Sequence, residues 1–150
     1  MQIYIDCDHY GADLKEFLLL HCSKCNIRMI DLNFGIEKPY PLIASNMAQQ
    51  LLSVSNSRGI LICNSGIGMS IVANKYPGIY ANCCNSHEEC TLFRKTNNGN
   101  LLCLGAHFLS APLALDLVKI FINTDFDLKN KMRIEMIESL FVEDKDGNKS

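Results

Sequence analysis

The 150-residue sequence has no tryptophan and only four prolines, and no apolar run approaches the roughly 18 residues a bilayer span needs. Its longest cationic run is Arg94-Lys95 within a formal net charge of −2, so it offers no basic stripe to a nucleic-acid backbone. From Met1 the chain passes directly into strand-like alternation, without the charged and then apolar leader of an exported protein. The expectation is a cytoplasmic chain with neither a membrane nor nucleic acid as a partner.

Second Cys or His pairs at zinc spacing are missing too. His21, Cys22 and Cys25, or His87 and Cys90, make at most half a site, so the expectation is no metal. Eight cysteines look at first like a disulfide framework, but Cys7, Cys63, Cys83 and Cys103 fall within or at the ends of apolar strand-like runs, where a free thiol behaves as a small hydrophobe. The sequence is 48% apolar and 20% charged, which excludes disordered and fibrous classes. It reads as one domain over residues 1–142 with a polar, disordered tail over 143–150.

Short apolar runs alternate with segments of helical period, the pattern of a parallel sheet wrapped by helices. The predicted strands are Gln2 to Asp6, Ile27 to Leu32, Gly59 to Cys63, Ile79 to Cys83 and Leu101 to Gly105. Ala44, Met47, Ala48 and Leu51 fall at helical spacing, and Leu14, Phe17 and Leu18 repeat part of it. Ser86 with Glu89 forms a capping box that opens a helix to about Lys95, Pro112 suits the first turn of another, and a last helix runs from about Lys129 to Phe141. The apolar character of Pro112 to Ile122 suggests a subunit interface. The predicted fold class is α/β, a single doubly wound, Rossmann-like domain with a five-stranded parallel sheet and helices on both faces.

Open parallel sheets bind ligands outside the carboxyl ends of their strands, near the point where the strand order reverses. The exit Cys63-Asn64-Ser65-Gly66-Ile67-Gly68 has small and flexible residues that let backbone N–H groups converge on an anionic oxygen, or else merely permit a tight turn. A helix N-terminus and nearby His9 would lower the Cys63 pKa and make it a base or nucleophile, whereas the alternative leaves Cys63 ending a buried strand. Asp8 and His9 can accept sugar hydroxyls and contact phosphate, although a strand-end Asp is equally a helix N-cap. Tyr40, placed in a loop between Pro39 and Pro41, binds a ligand or plugs that loop.

Taken together, Cys7-Asp8-His9-Tyr10-Gly11, Pro39-Tyr40-Pro41, the passage from Gly59 to Lys75 and Asn97-Asn98-Gly99-Asn100 resemble the type B ribose-5-phosphate isomerase family, which includes the galactose-6-phosphate isomerase subunits. The resemblance spans about residues 1 to 140. It implies an aldose-ketose isomerase of a phosphorylated sugar, ribose 5-phosphate by default, needing no cofactor or metal and acting through an enediol in a site shared across a homodimer that can pair into a tetramer. It implies Cys63 as the base, with Ser65 keeping a family hydroxyl and the backbone of Asn64, Ser65, Gly66, Ile67 and Gly68 holding the enediolate. Asp8, His9, Tyr40 and Asn97 would hold the sugar and its phosphate. Thr96 stands where the family carries its ring-opening His, and His107 where it carries an Arg. Of the phosphate-binding arginines only Arg133 remains nearby, with Lys131 beside it. A catalytically weak, sugar-phosphate-binding or structural homologue is the alternative.

Overall fold

The structure, a computed structural model describing residues 1–141, contains five strands and six α-helices. In chain order these are β1 (Gln2–Cys7), α1 (Ala12–Lys24), β2 (Ile30–Asp31), α2 (Tyr40–Ser53), β3 (Ser57–Cys63), α3 (Ile67–Ala73), β4 (Ala81–Cys83), α4 (His87–Asn97), β5 (Leu101–Gly105), α5 (Ala111–Asn123) and α6 (Lys131–Ser139). All pairings are parallel, in the order β2-β1-β3-β5-β4. The tail read over 143–150, and residue 142, lie outside the described residues.

A strand covered on both faces carries a continuous apolar run rather than an alternating one, and β3 shows why. Ile60 and Ile62 enter one core with Leu18 of α1 and Leu117 and Phe121 of α5, while Leu61 and Cys63 enter a second with Met47 of α2 and Met69 of α3. The order reverses between β1 and β3, whose following helices, α1 and α3, go to opposite faces. The crevice above that switch point is where the site is built.

Local chemistry sets the helix ends. Ser86 Oγ accepts the Glu89 N–H at 3.2 Å, the Glu89 carboxylate accepts the Asn85 N–H at 2.8 Å, and α4 stops at Asn98, whose φ of 51° is left-handed. Ser110 caps α5 through the Leu113 N–H, with Pro112 in the first turn.

Several boundaries depart from the sequence expectations. The second strand shrinks to Ile30–Asp31 because the Ile27 N–H turns back to the Cys22 carbonyl at 2.9 Å, closing the end of α1. Ile27 and Met29 then pack against the first core without pairing. The fourth strand begins at Ala81, since the Ile79 N–H is taken by the Tyr76 carbonyl and the Tyr80 N–H by Asn100 Oδ1. The last helix begins at Lys131, after a 3-10 turn over Leu128–Asn130 capped by Asp127. Tyr40 opens α2 rather than lying in a loop. Ala114, Leu117, Val118 and Phe121 of α5 are buried within the same chain, against α1 and α4, so the apolar run at Pro112 to Ile122 is accounted for without a subunit interface.

Candidate active site

β1 and β3 end side by side, with Cys7 opposite Ile62 and the Asp8 N–H donating to the Ile62 carbonyl at 3.2 Å. Asp8 is 5% exposed and caps the following 3-10 turn, its Oδ1 accepting the Tyr10 N–H at 3.0 Å. Among the described residues Oδ2 has no donor, and because no shut-off side-chain oxygen lacks a partner, Oδ2 opens to the crevice. The cap reading of Asp8 therefore accounts for one oxygen and leaves the other open to a ligand.

Beyond Cys63 the chain doubles back tightly. Gly66 has a φ of 79°, a left-handed conformation that costs an L side chain about 1–2 kcal/mol. Gly105 lets β5 approach the turn, since a Cβ there would lie 2.5 Å from the Ser65 carbonyl oxygen. The Ala106 and His107 N–H groups donate to the Cys63 and Asn64 carbonyls at 2.9 and 3.0 Å, fixing the turn from outside. Cys63 Sγ accepts the Gly66 N–H at 3.0 Å, and Ser65 Oγ accepts the Ile67 N–H at 3.3 Å. First-turn N–H groups of a helix have no intrahelical acceptor; that of Met69 turns to the Cys63 sulfur, and that of Gly68 remains available.

Burial pushes the Cys63 thiol above its ordinary range; the Gly66 N–H opposes this and the Asp8 carboxylate adds to it. The expected lowering is thus reversed, because the loss of water around a thiolate outweighs the backbone N–H groups of Gly66, Ser65 and Met69. All eight cysteines are free thiols, and burial holds Cys7 and Cys22 at about 11. His21 Nδ1–H donates to the Phe17 carbonyl at 2.9 Å and the ring stacks on that of Phe17 at 3.9 Å, the role of a helix-surface histidine.

Tyr40 lies against Gly68, where a Cβ would meet its ring at 2.6 Å, so the glycine makes room for an aromatic lid beside the nest. Asp6, which sequence reading passed over, holds the preceding loop: its carboxylate accepts the Cys7 and Phe34 N–H groups at 2.8 and 3.1 Å. Only its burial among those bonds reveals the role. The His9 and Tyr10 rings lie 4.0 Å apart at a tilt of 38°, His107 packs edge-on to Phe108 at 5.1 Å, and both histidines are exposed.

The remaining candidates are elsewhere. Thr96 and Asn97 end α4 just before β5 begins, whereas Gly105 at the other end of β5 pairs with Cys63. A rise of about 3.3 Å per residue separates those strand ends by about 13 Å. Lys131 and Arg133 accompany Thr96 and Asn97, because the Asp127 N–H and Asn130 Nδ2 both donate to the Lys95 carbonyl. Lys131 pairs with Glu135 at 3.5 Å, and Arg133 is exposed. Lys129 stands here four residues before Arg133, paired to Asp127 at 2.9 Å. One chain therefore gathers Asp8, His9, Tyr40, Cys63, Asn64, Ser65, Gly66, Ile67, Gly68 and His107 at the upper end of the sheet, and Thr96, Asn97, Lys131 and Arg133 at the lower.

Residues 3–137 match the Ribose/Galactose Isomerase family. Ribose-5-P isomerase B of Listeria innocua is 34% identical over 143 residues, 93% of this chain and 97% of the relative. A 4-deoxy-4-sulfo-D-erythrose isomerase of a Clostridium species is 34% identical over 129 residues, 84% of this chain and 81% of the relative. The crystal structure of ribose-5-phosphate isomerase B from Mycoplasma genitalium with bound ribulose-5-phosphate superposes with a TM-score of 0.85 at 30% identity, covering 93% of this chain and 95% of the other. With the switch-point crevice, its buried thiol and its glycine turn in the same places along the sequence that carried the resemblance, the chain belongs to the ribose/galactose isomerase family of aldose-ketose isomerases.

Proposed function

We propose that this isomerase interconverts ribose 5-phosphate and ribulose 5-phosphate, with Cys63 as the base. Aldose and ketose are isomers, so the step moves a proton between C2 and C1 and one between the oxygens, with no net electron transfer. The Cys63 thiolate takes the proton from C2, leaving an enediolate whose oxygen faces the Gly68 N–H, and the thiol returns it to C1. Asp8 Oδ2 accepts a sugar hydroxyl, Ser65 and Tyr40 border the carbon chain, and His9 and His107 meet the phosphate end. The observation that carries this reading is Cys63 Sγ bound to the Gly66 N–H at 3.0 Å within the first turn of the nest.

A second copy completes the site. Thr96, Asn97, Lys131 and Arg133 are distant from Cys63 in their own chain, and a two-fold partner would bring them over the crevice of its neighbour. Exposed apolar side chains support such an interface: Ile67 and Ile71 on α3 are 55% and 56% exposed, and Met132 and Met136 on α6 are 76% and 64% exposed. Pairing of these dimers into tetramers follows the family resemblance alone. No helix among the described residues is long and apolar enough to cross a membrane, and eight free thiols suit the reducing cytoplasm.

One observation favours a weaker catalyst. Thr96 Oγ1 lies 2.7 Å from both the Leu92 carbonyl and Asn97 Oδ1, and a hydroxyl so engaged is a poor acid for opening a sugar ring. An isomerisation assay over a panel of anionic sugars of four to six carbons tests both readings. Turnover highest with the ribose 5-phosphate pair supports the first; binding without turnover of any sugar establishes the second.

A further inference from the structure

The last carbonyls of α5 have no acceptor role left inside their own helix, and two arginines take them. Arg58, near the start of β3, donates Nη1 to the Phe121 carbonyl and, at 2.9 Å, to that of Ile122. Arg94 of α4 donates Nε to the Thr124 carbonyl at 3.0 Å and Nη1 to Asn98 Oδ1 and the Gly99 carbonyl. These bonds explain both side chains as helix-end clamps, but they leave donors over. Among the described residues, neither Nη2 has an acceptor, and neither guanidinium has a carboxylate within ion-pair distance. Arg94 is only 3% exposed, yet no side-chain nitrogen that is shut off from solvent lacks a partner, so its Nη2 faces open space.

That space is a cavity of about 850 Å³ at the amino ends of the strands, bordered by both arginines and by Ser55, Asn56, Gly78 and Asn98. Its acidic member, Glu138, receives the Tyr80 hydroxyl. Asp125 offsets both cations from beyond ion-pair distance. Two guanidiniums this close repel: burial and then the charge of Arg58 bring Arg94 down to about 10. A bound anion would relieve both costs.

We propose that the Arg58–Arg94 cavity is a phosphate-binding site, distinct from the nest at Cys63 and at the opposite end of the sheet. Two Nη2 groups offer four N–H bonds, and a tetrahedral dianion has the acceptors and charge to match them. Ser55 and Asn56 supply neutral donors beside them. The ligand is inorganic phosphate or the phosphate end of a sugar phosphate. Either one would reach the Asn98–Asn100 turn through Arg94, which clamps it.

The test is an amide NMR titration of the full chain with inorganic phosphate, against chloride at equal ionic strength. The amides of Asn56, Ser57, Gly78 and Asn98 should shift saturably, with a midpoint separate from that of Gly66 and Gly68. A parallel titration with ribulose 5-phosphate identifies the source: saturation of the cavity amides by both probes assigns the phosphate end of a sugar, and by inorganic phosphate alone the free ion. Arg58→Gln should weaken cavity saturation about tenfold, the loss of one charge-assisted contact, and leave KM for the sugar phosphate within about twofold. Cavity amides that do not respond in the wild-type protein, or respond equally to chloride, overturn the proposal, as does unchanged affinity in Arg58→Gln. Should loss of the α5 clamp prevent that variant from folding, the wild-type titration alone decides.

Discussion

The two ends of the sheet use different materials. At the upper end the candidate groups are a buried thiol, a buried carboxylate and backbone N–H groups, held by turns that only glycine permits and by bonds from β1 and β5. At the lower end, Asn97, Lys131 and Arg133 are exposed side chains on helix termini. The first arrangement is rigid within one chain and is suited to chemistry, where a misplacement of about 1 Å is costly. The second has charge and reach on helix ends, with no thiol or glycine turn beside it, and the proposed pairing is what would give it a role in catalysis.

Removing the thiol breaks the comparison most severely. Cys63→Ala should lower kcat by about a thousandfold or more, with the melting temperature nearly unchanged because the site accepts a smaller apolar group. Turnover within a few-fold of wild type would show that another group is the base. Next in size is Gly105→Ala, whose Cβ would strike the Ser65 carbonyl oxygen at 2.5 Å, backbone against backbone. The turn must shift, and kcat/KM should fall by about a hundredfold, together with a lower melting temperature. Undiminished kcat/KM in a folded Gly105→Ala protein would detach the nest from catalysis.

The pH profile sharpens the account of the upper end. Burial raises the Cys63 pKa above its ordinary value near 9.0, so the free enzyme holds mostly thiol at neutral pH, and the thiolate fraction grows as pH rises. The logarithm of kcat/KM should therefore climb by about one per pH unit between pH 7 and 9, levelling off only above that range. A plateau already reached at pH 7 would mean that a depressed thiol, or a different base, does the work.

The smallest recovery tests the lower end. Cys63→Ala and Arg133→Ala are each expected to be impaired, but a dimer that shares its sites would, on co-expression, give mixed pairs with one site intact. Random pairing should restore about a quarter of wild-type activity if the site is shared. Activity no higher than the mean of the two parents would place every working residue in one chain.

Sequence alone determined the alternation of strands and helices, because a run such as Ile60-Leu61-Ile62 signals a strand buried on both faces. The Ser86–Glu89 cap and the Gly66 turn were legible for a similar reason, since each depends on residues three apart or fewer. Cys63 and Asp8 could be singled out because strand exits at a switch point form a crevice whatever the loops contain. Long-range contacts were not legible. Asp6 reaching Phe34, Gly105 making way for Ser65, and Arg58 and Arg94 meeting at the end of α5 join segments far apart in the chain. The tertiary structure alone decided the state of Cys63: local signals favour a thiolate, but the charge is penalised by the packing of β1, β5 and the helices α2 and α3 around it, and desolvation depends on the whole surrounding volume rather than on neighbours in sequence.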